Sequence, residues 1–104
     1  MSLVKATKES FKKEVIDTKG LVLVDFNADW CGPCQMLKPI LEQLSSKDNN
    51  FKIVSVNIDE ESDLADKYEV FSIPCLVVFK DGEEINRNVG FIPEDEVLNL
   101  LGEN

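Results

Sequence analysis

The sequence has no histidine, three cysteines, one tryptophan and one tyrosine in 104 residues, and its 11 basic residues face 20 acidic ones. Each shortage excludes something. Without histidine, a closed four-ligand zinc site would need carboxylates or a second chain to complete it. Three cysteines are too few for a disulfide scaffold, and their spacing, one close pair and one alone, points to chemistry rather than stapling. The net charge of −9 repels polyanions, so nucleic acid is not an expected partner. No apolar run approaches the roughly 18 residues of a membrane span, so no membrane is expected either. Met1 to Lys5 lacks the basic-then-apolar order of a secretory signal, which makes a reducing cytoplasm the expected location. Calcium-loop spacing and a phosphate-cradling glycine loop are absent, so electrons are expected from another protein rather than from a bound nucleotide. There is no repeat or Pro/Gly/Ser-rich linker, and residues 1–104 read as one domain with a single core.

What is present alternates. Leu3 to Ala6 reads as a short strand, and Thr7 as the cap of a helix through Phe11, Val15 and Ile16. Leu21 to Phe26 is apolar at nearly every position, which suits a central strand covered on both faces. Met36, Leu37, Ile40, Leu41 and Leu44 recur at helical spacing, predicting a helix from Pro33 to Ser46 with a kink at Pro39. Phe51 to Ile58 reads as a strand, followed by a short helix capped by Ser62 whose acidic start is Asp59 to Asp63. Leu76 to Phe79 and Ile85 to Val89 flank Lys80-Asp81-Gly82-Glu83, an antiparallel hairpin signal. Pro93 as first residue, then Val97, Leu98, Leu100 and Leu101 before Gly102, make a closing helix. The order βαβαβαββα implies an α/β fold, a mixed sheet with helices on both faces.

Trp30-Cys31-Gly32-Pro33-Cys34 falls between the central strand and the second helix. Backbone amides in the first turn of that helix point toward the Cys31 sulfur and favour its thiolate, the nucleophile of disulfide exchange. Three residues on, Cys34 lies within reach of a disulfide after small adjustment, so it can resolve a mixed disulfide. Pro33 suits a first helical turn, and Gly32 lets another chain approach. The competing readings are a metal half-site and a pair of buried core cysteines. Asp25 stands within an apolar strand, where desolvation raises a carboxyl pKa and fits it to take a proton from Cys34, directly or through water. The alternative is that Asp25 faces a polar loop and only solvates the strand end.

The chain resembles the thioredoxin family over nearly its whole length. The matching residues are Val24-Asp25-Phe26, Ala28, the pentapeptide at 30 to 34, Pro39, Asn57-Ile58-Asp59, Ile73-Pro74, Lys80-Asp81-Gly82 and Val89-Gly90. The resemblance implies the thioredoxin fold and a protein-disulfide reductase and electron carrier with no bound cofactor, working through a reversible Cys31–Cys34 disulfide. It assigns Asp25 the proton transfer and makes Ile73-Pro74 a cis-proline loop beside the cysteines. Ile73, Pro74, Trp30, Pro33 and Gly90 then form a docking surface, the backbone before the proline pairing with an extended substrate segment. Trp30 is expected to pack in the core as well as dock, and Gly90 reads equally as a strand end. The implied partners are disulfide-containing proteins and a flavoprotein reductase using NADPH, or in some organisms a ferredoxin-linked one. A small carrier that meets several partners is expected to be a monomer.

Three positions depart from the family pattern. Cys75 stands where Thr is common; it reads as a small residue at a strand start, or, if exposed, as an accessory thiol able to form an alternative disulfide or bind metal between subunits. Asn27 replaces a frequent aromatic. Ser55 replaces a lysine common near the buried acid, which removes one influence lowering the Asp25 pKa. The rival functions are an oxidant or isomerase on the same fold, a binding module without electron transfer, and a metal-linked dimer.

Overall fold

The computed structural model describes residues 3–47 and 50–102. Five strands form one sheet: β1 (Val4–Lys5), β2 (Leu21–Asn27), β3 (Phe51–Asn57), β4 (Cys75–Lys80) and β5 (Glu83–Val89), in the order β1-β3-β2-β4-β5. β1 and β2 both run parallel to β3, whereas β4 is antiparallel to β2 and to β5. The sheet is therefore mixed, with β2 at its centre. Three α-helices accompany it, α1 (Gly32–Ser45), α2 (Ser62–Lys67) and α3 (Glu94–Leu101), together with a π-helical turn at Lys12–Ile16.

Alternation along the strands divides the core into two layers. Val22, Val24 and Phe26 of β2 pack with Phe11, Val15 and Leu64, on the side of the π turn and α2. Leu23 packs with Leu37, Leu41 and Leu44 of α1 and with Val97 and Leu101 of α3. Both faces of β2 are thus covered, which is why its sequence carries no polar alternation until Asp25.

Several sequence expectations need correction. Thr7 does begin the first helical segment, its Oγ1 accepting from Ser10 N–H at 3.2 Å, but the segment becomes a π turn closed by the Asp17 N–H on the Lys12 carbonyl at 2.8 Å. α1 itself, Gly32–Ser45, lies within one residue of the expected bounds at each end and contains Pro39. Ser62 is the first residue of α2 and Glu61 holds the cap position. Asp59 and Glu60 precede that helix, so only Asp63 is an acid of its first turn. Pro93 is likewise the cap of α3, with extended backbone, and not its first helical residue. Among the described residues no helix is long and apolar enough to cross a membrane.

Candidate active site

β2 ends at Asn27, and the chain reverses through Ala28 to Trp30 into α1. Cys31 is the cap residue of α1, with extended backbone, and its Sγ accepts the Cys34 N–H at 3.2 Å. The sulfur thus meets the first free amides of a 14-residue helix, donors placed to stabilise negative charge on it. Cys31 and Cys34 are joined by a disulfide, their Cα atoms 5.2 Å apart. Both are buried, whereas Gly32 and Pro33 between them are exposed. They pack against Ala28, Ile58 and Ile73.

Asp25 is buried at 3% exposure, on the same face of β2 as Leu23 and therefore beneath α1. The alternative of a solvated strand end is excluded. Burial pushes its carboxyl up to about 7, against a smaller lowering by a hydrogen bond from Asn27. Asp25 and Cys34 line one cleft of about 180 Å³, together with Asn27, Ser55, Lys5 and Lys38.

The Ile73–Pro74 peptide is cis. Pro74 is buried and Ile73 half-buried against the cysteines. Gly90 follows the last residue of β5 with φ +101° and donates its N–H to the Pro74 carbonyl at 2.8 Å, which brings it to the proline loop. Trp30 is 69% exposed and so does not pack in the core. Instead its Nε1 donates to Asp59 Oδ2 at 2.8 Å. Asp59 is a site residue that sequence reasoning placed in the family match and at a helix start, with no role beside Trp30. The signal was its place in Asn57-Ile58-Asp59, where Asn57 Oδ1 accepts the backbone N–H groups of Asp59 and Glu60 and fixes the turn.

Cys75 does not join the pair. It is buried at 1% exposure and lies opposite Phe26 in the β2–β4 register, in the layer of Val77 and Phe79 rather than that of α1. Burial pushes its thiol pKa up, so the exposed accessory thiol is not what the structure holds. No group of three or more Cys, His, Asp or Glu placed to hold a metal ion occurs among the described residues.

Residues 2–103 match the family model for thioredoxin. The chain is 46% identical over 102 residues to thioredoxin of Bacillus subtilis, covering 97% of this chain and 96% of that protein. It is 54% identical over 82 residues to thioredoxin of Chlamydia pneumoniae, covering 79% and 80%. Among solved structures, a mutant thioredoxin from Halobacterium salinarum NRC-1 superposes with a TM-score of 0.88 at 36% identity, over 96% of this chain and 88% of that one.

Proposed function

The chain belongs to the thioredoxin family and is a protein-disulfide oxidoreductase working by dithiol–disulfide exchange, and we propose that Cys31 is its attacking thiol, Cys34 its resolving thiol and Asp25 its proton acceptor. Such chemistry runs on the cysteine pair and needs no bound cofactor. Disulfide-containing proteins and a thioredoxin reductase are its partners. The observation that carries the residue roles is the division of the pair: Cys31 caps α1 with an amide on its sulfur, whereas Cys34 lines the cleft of Asp25.

In the reducing direction the Cys31 thiolate attacks one sulfur of a target disulfide. An S–S bond forms between Cys31 and the target, and the second target sulfur leaves as a thiolate that takes a proton from solvent. Cys34 then gives its proton to Asp25 and attacks the Cys31 sulfur. The mixed disulfide breaks, the Cys31–Cys34 disulfide forms, and the remaining target sulfur departs as a thiolate. Two electrons have passed to the target, and a reductase returns them. A carboxyl titrating near 7 is matched to this transfer, because it is partly ionised at working pH.

Gly32 and Pro33 tune the pair, since the segment between the sulfurs sets the balance of dithiol and disulfide. Trp30, Ile73, Pro74 and Gly90 form the docking surface, where an extended target segment pairs with backbone next to Pro74. Cys75 stays outside the cycle. We further infer one domain over residues 1–104, acting as a monomer in the cytoplasm, where reducing conditions regenerate the dithiol. A flavoprotein using NADPH supplies its electrons, and neither nucleic acid nor membrane takes part, in keeping with the charge of −9.

Reduction of insulin disulfides by dithiothreitol tests the assignment. Wild type and Cys75→Ser are expected to accelerate it equally, and Cys31→Ser to give no more than the dithiothreitol background. Folded wild-type protein no faster than dithiothreitol alone would overturn the proposal.

A further inference from the structure

Asn27 and Ser55, two of the positions at which the sequence departs from the family pattern, meet at Asp25. Asn27 lies two residues beyond Asp25 on β2, hence on the same face, and Ser55 is the register partner of Asp25 on β3. The Asn27 Nδ2 stands 3.2 Å from Asp25 Oδ2, 3.0 Å from the Asp25 carbonyl and 2.9 Å from Ser55 Oγ. Its two N–H bonds thus face three oxygens, all of them acceptors for it. The other carboxyl oxygen, Asp25 Oδ1, is buried and has no hydrogen-bond partner among the described residues.

The two oxygens of Asp25 are therefore unequal. We propose that Asn27 is a positioning residue for the disulfide-exchange step: its amide, steadied by Ser55, holds Oδ2 and leaves Oδ1 as the atom that exchanges the proton with Cys34. The inference rests on the role of Asp25 proposed above. A carboxyl with a donor fixed on one oxygen carries its proton on the other, and a fixed donor also removes the rotation that would turn the proton away from the cleft. A donor on Oδ2 stabilises the ionised form, opposing desolvation.

The other groups facing Asp25 leave this contact as the local control. Lys5 on β1 is paired with Glu60 at 3.0 Å. Ser55 and Asn57 on β3 are neutral, as is Leu76 opposite on β4. α1 contributes Cys34, Gln35 and the cation Lys38, and the loop after β2 contributes Asp29. Cys75 on β4 lies on the opposite face.

The test is a carboxyl ¹³C NMR titration of Asp25 in wild type, Asn27→Ala and Ser55→Ala, alongside pH–rate profiles of insulin reduction for these proteins and Asp25→Asn. Loss of the amide is expected to move the Asp25 midpoint upward by about one pH unit, about tenfold in the ratio of ionised to protonated carboxyl at a given pH. Ser55→Ala, which leaves the amide in place but unanchored, is expected to move it the same way by less. The limb of the rate profile should follow the midpoint in both. A midpoint unmoved in both folded variants, with a profile that does change in Asp25→Asn, would overturn the inference alone. An unchanged profile in Asp25→Asn would overturn the role of Asp25 on which the inference stands.

Discussion

Asp25 is the only charged side chain in the core among the described residues, and its burial has a thermodynamic cost that is separable from its chemistry. In the unfolded chain the carboxyl titrates near its ordinary 3.8, and in the folded protein near 7. Between those values the folded state holds a proton that the unfolded state has lost, so stability falls as pH rises through the window. A shift of about three units corresponds to about 4 kcal/mol, fully expressed above pH 7. Urea denaturation of wild type and Asp25→Asn from pH 4 to pH 8 should therefore diverge, the variant becoming the more stable toward pH 8 as wild type weakens. Parallel curves would show that the carboxyl is not desolvated. The raised pKa was legible in the sequence, because an acid among Leu23, Val24 and Phe26 stands on a strand covered on both faces, where desolvation disfavours the charged form. The exposed Trp30 was not: a lone Trp reads as core until its partner, Asp59, is known to lie 2.8 Å away.

At the level of elements, the hairpin joining β4 and β5 was written most plainly. Asp81 and Gly82 both have positive φ, 51° and 87°, in a two-residue loop that matches the twist of its strands. The loop is also packed. Asp81 Oδ1 accepts the Gly20 N–H at 2.7 Å, and a Cβ on Gly82 would stand 2.5 Å from the Ile16 carbonyl oxygen. Gly82→Ala is expected to destabilise the fold by about 1 to 3 kcal/mol from backbone strain, and further through that clash. Gly32→Ala, with nothing within 4 Å and an ordinary backbone, should cost far less. Equal thermal midpoints for the two variants would contradict the packing described. β2 and α1 were legible for a related reason: burial on both faces leaves an unbroken apolar strand, and burial on one face leaves a helical stripe. The π turn was not, because over five residues the spacing of Phe11, Val15 and Ile16 serves an α-helix equally well. Cap positions moved by one residue at Ser62 and Pro93, where two neighbouring residues can each end the chain's extended run. The contact of Asn27 with Ser55 joins residues 28 apart and depends on the β2–β3 register, which no local pattern fixes.

The whole molecule carries a charge of −9, while Trp30, Ile73, Pro74 and Gly90 at the proposed docking surface are uncharged. Contact with these four residues favours no sign, whereas the surrounding field, with the exposed Asp59 bonded to Trp30 as its nearest source, draws basic targets and slows acidic ones. The Debye length shrinks from about 30 Å at 0.01 M salt to about 10 Å at 0.1 M, so this preference should fade with ionic strength. For two disulfide peptides differing only in Lys or Glu flanks, kcat/KM should favour the Lys peptide at low salt and converge at high salt; a ratio independent of salt would place the selectivity in the docking surface itself. The central claim, that Cys31 attacks and Cys34 resolves, is tested most directly by trapping. Reduced Cys34→Ser, mixed with a disulfide-containing target and mapped by mass spectrometry, should accumulate a mixed disulfide at Cys31, whereas reduced Cys31→Ser should accumulate little at Cys34. A stable adduct on Cys34 in the second variant, formed as fast as the first, would contradict the account.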